Sequence, residues 1–134
     1  MSDRPVQVVL DVSTILAFCA GSVAVGELLA EVDDEEGVMG LPVLCVAEAS
    51  RSTPARDHLE LLVNHHATRL LALDADYWQS LAIMTHEIVG RADAASAALA
   101  ALLHDCHVLT AWPALYAGLD NGGPVLLLEE PADE

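Results

Sequence analysis

The sequence predicts an α/β fold: a mostly parallel central sheet of four to five strands with helices on both faces. Three observations lead there. Short runs such as Val6-Gln7-Val8-Val9-Leu10 and His107-Val108-Leu109-Thr110 are apolar almost throughout, as fully buried strands are. The segments between such runs carry apolar residues at helical spacing. Strands and helices alternate along the chain, and that alternation builds a parallel sheet covered on both sides.

Residues 6–10 form the first expected strand. Val25, Leu28, Leu29 and Val32 then mark a helix from about Ser22. Its expected end is the cluster Asp33-Asp34-Glu35-Glu36, because acids at a helix C-terminus oppose the macrodipole. Gly37 and Gly40 support a break there. Val38 to Leu41 reads as a very short extended piece. Pro42 suits the first turn of a helix carrying Val43, Val46 and Ala47. Asp57 and Glu60 make a capping-box-like start for Leu59, Leu62 and Val63. Residues 69–73 read as another strand. Asp74 is expected to cap a longer helix with Trp78, Leu81, Thr85, Ile88 and Val89 on one stripe, ended by Gly90. Asp93 opens an alanine-rich helix to about Leu103, whose small side chains allow close approach to a sheet. Residues 107–110 are a main strand, and Pro113 begins a short helix to about Gly118. A turn at 121–124 and a last strand at 125–128 follow. Residues 1–128 are read as one domain, and 129–134 as an acidic tail that frays.

At 134 residues the chain is long enough for one real core, and its 54% apolar content supports that. No apolar stretch approaches a membrane span. The N-terminus lacks the basic start and apolar centre of a secretion signal. Cys19, Cys45 and Cys106 are odd in number and lie in apolar surroundings, which suits reduced core thiols in a cytoplasmic protein. Formal net charge is −16, with no lysine and five arginines. Such a chain repels a phosphate backbone at long range and better suits a cation or a basic protein partner.

Three acids stand out. Asp11 follows the first strand at once, where open α/β sheets place their ligands. Right-handed crossovers put all strand carboxyl ends on one edge. Thr110 ends a strand there, and Asp93 starts a helix that feeds into a strand, so its N-terminus faces the same edge. Glu48 lies on the helix after Pro42 and is placed to join them. Carboxylates brought together need a cation to offset their repulsion, and hard cations such as Mg²⁺ and Mn²⁺ prefer those oxygens. Such a metal orients water for attack on a phosphodiester and stabilises the leaving oxygen.

Four stretches carry a family resemblance: Val8-Val9-Leu10-Asp11-Val12-Ser13, Leu41-Pro42-Val43-Leu44-Cys45-Val46-Ala47-Glu48, Asp93-Ala94-Ala95-Ser96-Ala97-Ala98-Leu99-Ala100 and His107-Val108-Leu109-Thr110. In that order and spacing they resemble the PIN-domain family, in particular the small toxin ribonucleases of bacterial toxin–antitoxin pairs. The resemblance implies a three-layer PIN-like fold and a metal-dependent endoribonuclease that hydrolyses RNA with metal-activated water. It implies a homodimer restrained by an antitoxin, which for so acidic a chain would be basic. The metal-binding and catalytic acids would be Asp11, Glu48 and Asp93, holding one Mg²⁺ or Mn²⁺ more readily than two. Ser13 and Thr110 would support them, and Arg51 and Arg91 would meet phosphate oxygens. The sequence departs from the family at Trp112, which stands where a fourth acid is usual and cannot ligate a metal.

Each of these residues also has a plainer reading. Asp11 suits a helix cap or Asx turn. Glu48 and Arg51 suit an i,i+3 ion pair. Asp93 suits an N-cap, Arg91 an ion pair, and Ser13 and Thr110 bonds to the backbone. His104, Cys106 and His107 lack the second ligand pair that a zinc site requires. The rival to the nuclease is therefore a degenerate PIN-like domain that binds a protein, or RNA weakly, without cutting. A phosphotransfer receiver is disfavoured because the chain has no lysine.

Overall fold

The computed structural model describes residues 4–119 and 125–128. Five strands form one all-parallel sheet: β1 (Val6–Leu10), β2 (Val38–Pro42), β3 (Thr68–Leu71), β4 (His107–Thr110) and β5 (Val125–Leu127), in the order β3-β2-β1-β4-β5. The helices are α1 (Val12–Cys19), α2 (Val23–Asp34), α3 (Val43–Ser52), α4 (Arg56–Val63), α5 (Trp78–Ile83) and α6 (Ala92–Leu103). The fold is the three-layer α/β class that the sequence predicts. Because parallel neighbours connect by right-handed crossovers, the steps β1 to β2 to β3 run on one face and the return from β3 to β4 runs on the other. The chain therefore changes direction between β1 and β4, whose adjacent carboxyl ends flank a topological switch point. The turn at 121–124, the tail at 129–134 and the side chain of Ile88 lie outside the described residues.

The strands at the centre carry the core. Val9 and Leu10 of β1 pair with Val108 and Leu109 of β4, and all four are buried. Every residue of β2 is buried as well. Against them pack Ile15 of α1, Val25 of α2 and the alanine face of α6, whose Ala97, Ala98 and Ala101 are inaccessible to solvent. No single helix among the described residues is long and apolar enough to cross a membrane.

Several elements differ from expectation. Only Asp11 separates β1 from α1, a helix that the apolar spacing did not announce. Helix α2 runs through Asp33 and Asp34 rather than stopping before them. Asp33 is tolerated because Arg4 and His66 bind its two oxygens at 2.8 and 2.9 Å, so bound partners, with the Arg4 guanidinium among them, offset its conflict with the dipole. Arg4 foremost, and His66 with it, holds that carboxyl below the ordinary range. The capping box at Asp57 does not form: α4 begins at Arg56 after Ala55, with no side-chain cap. Instead the Thr53 hydroxyl accepts from the Ala55 N–H at 3.0 Å, which shapes the entry turn. Strand β3 starts at Thr68 and ends at Leu71 because its partner β2 ends at Pro42, opposite Leu71.

The long helix expected after Asp74 is divided. Asp74 does cap, accepting from the Asp76 N–H at 2.9 Å. The segment then passes from a 3₁₀ turn (Ala75–Tyr77) through α5 to a π-helical stretch (Met84–Val89) before Gly90 ends it in the left-handed region. Each change of hydrogen-bond register rotates the following side chains, so the expected stripe does not stay on one face. Trp78 is 64% exposed while Val89 is buried.

Three helix ends share one device. After α1, α2 and α6 the residue in the left-handed region is Gly21, Glu36 and Asp105, respectively. In each case the next residue's N–H returns to a carbonyl five positions back: Ser22 to Ala17, Gly37 to Val32, and Cys106 to Ala101. Glycine adopts that conformation freely, whereas a residue with Cβ is strained by about 1–2 kcal/mol. Glu36→Gly is therefore expected to raise unfolding free energy by about 1 kcal/mol, after the added flexibility of the unfolded chain is subtracted. Gly21→Ala, where an added Cβ meets nothing within 4 Å, should lower it by a similar amount. Urea denaturation of the two variants checks the opposite signs.

Candidate functional site

Asp11 is the N-cap of α1 and only 1% exposed. Its position follows from β1: a strand ending at the switch point, turning at once into a helix, leaves the linking residue at the carboxyl edge. Both of its oxygens are occupied. Oδ1 accepts from the Ser13 hydroxyl at 2.6 Å and from the Thr14 N–H at 3.2 Å. Oδ2 accepts from the Tyr116 hydroxyl at 2.8 Å. Hydrogen bonds to a charged group contribute about 1.5–3 kcal/mol each, so this set holds the carboxylate firmly.

The network extends across the sheet. Because Ser13 gives its proton to Asp11, its oxygen is free to accept, and it does so from the Ala111 N–H at 2.8 Å and from Thr110 Oγ1 at 3.2 Å. Thr110 Oγ1 in turn accepts from the Trp112 N–H at 2.9 Å. Thr14 Oγ1 donates to the Leu109 carbonyl at 2.5 Å. The start of α1 is thereby pinned to the end of β4. Ser13 and Thr110 are links in one hydrogen-bond chain between α1 and β4.

Glu48 and Asp93 come to the same edge and are spoken for as well. Arg51 meets Glu48 at two points, Nη2 to Oε2 at 2.6 Å and Nε to Oε1 at 3.3 Å. Arg91 meets Asp93 likewise, at 2.6 and 3.1 Å. Asp93 is not the N-cap expected of it. Arg91 holds that position without a side-chain bond, and Asp93 is the second residue of α6, accepting from the Ala94 N–H at 2.7 Å. Its backbone carbonyl accepts from Ser96 Oγ at 2.7 Å and from Cys45 Sγ at 3.2 Å, which ties α6 to α3. Burial pushes the Cys45 thiol far above the ordinary range, and the charges of Asp11 and Asp93 add to this. The sulfur therefore stays protonated and donates.

Glu48, Arg51, Arg91 and Asp93, with Leu44, Ala47 and Ala92, line an open cleft of about 660 Å³. Asp11 is not among its walls. The Arg91 guanidinium sits 5.4 Å from the centre of the Trp112 ring. Hydrogen bonding to Asp93 foremost, and the charges of Glu48 and Asp11 beyond it, hold Arg91 above the ordinary arginine value. Arg91 thus pairs directly with Asp93 and shares the cleft with Glu48. Tyr116, buried at the end of the 3₁₀ turn Pro113–Tyr116, is the member that sequence reasoning missed. The only available signal was an aromatic with a hydroxyl one short turn beyond the carboxyl end of β4.

This donor set does not fit a divalent cation. Hard cations need open carboxylate oxygens and retain several waters. Here one acid is buried with both oxygens bonded, and the other two are held bidentately by arginines. Among the described residues, no group of three or more His, Cys, Asp and Glu side chains is arranged to hold a metal. His104, Cys106 and His107 form no such group either. No protein-family model matches the chain, and no curated protein matches it by sequence.

Tyr116→Phe removes one donor from a buried carboxylate while keeping the ring. It should cost about 1.5–3 kcal/mol, read as a lower unfolding midpoint. A loss no larger than that of an exposed control such as Tyr77→Phe would show that the bond carries no weight.

Proposed function

We propose that this chain is a PIN-like domain that does not cut RNA and serves to bind another protein. One observation carries the reading: the Asp11 carboxylate, the acid best placed for chemistry, is closed by Ser13, Thr14 and Tyr116. A metal there would have to enter a buried site whose carboxylate already accepts from Ser13, Thr14 and Tyr116. The overall charge points the same way. A net charge of −16 works against RNA and favours a basic protein partner.

The second reading is a Mg²⁺- or Mn²⁺-dependent endoribonuclease, with Asp11, Glu48 and Asp93 as ligands and catalytic residues. The observation in its favour is that all three acids, with Ser13 and Thr110, gather at the carboxyl edge beside the β1/β4 switch point. On that reading Arg51 and Arg91 leave their carboxylates to meet RNA phosphates. The protein would then act as a homodimer with a basic antitoxin as its partner.

Incubation of the purified chain with single-stranded and structured RNA, with Mg²⁺ or Mn²⁺, separates the two. The expected result is no metal-dependent cleavage above the level of Asp11→Asn. Cleavage by the wild type that requires metal and vanishes in Asp11→Asn would establish the nuclease instead.

A further inference from the structure

We infer that Arg91 is the resident cation of this cleft: its guanidinium occupies the Asp93 carboxylate that, beside Glu48, a divalent ion would otherwise take. The inference rests on the non-catalytic reading and adds to it the group responsible. Four features of Arg91 carry it. Gly90, in the left-handed region, ends the preceding π-helical stretch, and Arg91 follows in extended conformation at the start of α6. There its side chain returns to Asp93 two residues on. The guanidinium spans both Asp93 oxygens, a two-point geometry that suits a planar fork and that an ammonium cannot reproduce. It lies over Trp112, the residue at the mouth of β4 that offers a π face rather than an oxygen. Such a face favours a weakly hydrated planar cation over a strongly hydrated divalent one. Finally, Glu48 and Asp11 act on the same guanidinium from α3 and from the end of β1.

Arg51 provides the contrast. It neutralises Glu48 in the same cleft, but its side chain is 76% exposed against 37% for Arg91, and its pairing is a local i,i+3 contact along one helix. The structure therefore assigns the two arginines different roles, although they carry the same charge. Arg51 covers one acid at the surface, while Arg91 is more enclosed, held by Asp93 on α6 and lying over Trp112 beyond β4. Removing Arg91 leaves Asp93 beside Glu48 with no cationic partner of its own, its Oδ1 still bonded to the Ala94 N–H.

The test is divalent-cation binding by the full-length chain, using Mn²⁺ itself as the probe in calorimetry and thermal melts. Wild type is expected to show no saturable binding up to roughly 10 mM Mn²⁺. Arg91→Gln should bind Mn²⁺ at least about tenfold more tightly than wild type, since a full positive charge is lost at contact distance. Its melting temperature should also rise with added Mn²⁺. Both gains should disappear in Arg91→Gln combined with Asp93→Asn. Arg51→Gln, which removes the same charge from the same cleft, should show neither gain.

Equal gains in Arg51→Gln and Arg91→Gln would reduce the effect to general electrostatics and overturn the assignment. So would a folded Arg91→Gln that binds no Mn²⁺. Should that variant fail to fold, Arg91→Lys serves, because a single ammonium cannot span both oxygens or stack as a plane. It should bind Mn²⁺ more tightly than wild type, and equal affinity would overturn the inference. Saturable Mn²⁺ binding and RNA cleavage by the wild type would instead overturn the non-catalytic reading, so the two failures are distinguishable.

Discussion

The buried carboxylate of Asp11 is the constraint from which the rest of the edge follows. A charge taken out of water must be matched by donors, and here three donors come from two distant parts of the chain: Ser13 and Thr14 at the start of α1, and Tyr116 beyond β4. Ser13 is held by Ala111 and Thr110, and Thr14 reaches the Leu109 carbonyl. Satisfying one acid thus fixes how the first helix leaves the sheet, where β4 ends and how the following 3₁₀ turn folds back. Asp11 works as a keystone between β1 and β4, at the point in an open α/β sheet where a ligand would otherwise be expected.

Around that keystone the remaining acids are balanced by arginines, and the two pairs differ in character. Glu48 and Arg51 form an exposed contact along one helix, of the kind that contributes little and breaks readily. Asp93 and Arg91 are more enclosed and gain a stacking partner in Trp112. Together with Arg4 at Asp33, they engage three of the five arginines in a chain carrying 21 acids. Much of the acidic surface therefore has no internal counter-charge. That is the physical basis for expecting a basic partner, and it does not depend on the state of the edge itself.

Much of the fold was legible in the sequence because burial on both faces leaves a direct mark. β1, β4 and α6 are near-continuous apolar or alanine runs, and their positions follow from that alone. The gathering of Asp11, Glu48, Asp93, Ser13 and Thr110 at one edge was legible for a topological reason: parallel strands with right-handed crossovers leave few other places for strand-end residues. What was illegible depended on register or on tertiary closure. The 3₁₀, α and π succession from Ala75 to Val89 cannot be read from apolar spacing that fits a single helix equally well. Asp33 inside α2 needed Arg4 and His66, one of them distant in sequence on the β1 side and the other after α4. Tyr116 is separated from Asp11 by most of the chain, and nothing local marks its hydroxyl as the last donor to a buried acid.

The central claim is that Asp11 is held by the protein's own donors and not by a metal. Paramagnetic broadening by Mn²⁺ of the backbone amides of the isotope-labelled wild-type chain tests it most directly, because broadening falls steeply with distance from the ion. Uniform, weak broadening spread over the exposed acids, with the amides of residues 11–14 and 93–94 spared, is the result that this claim requires. Selective loss of those amide signals at low Mn²⁺ would place the ion at the edge and contradict the account.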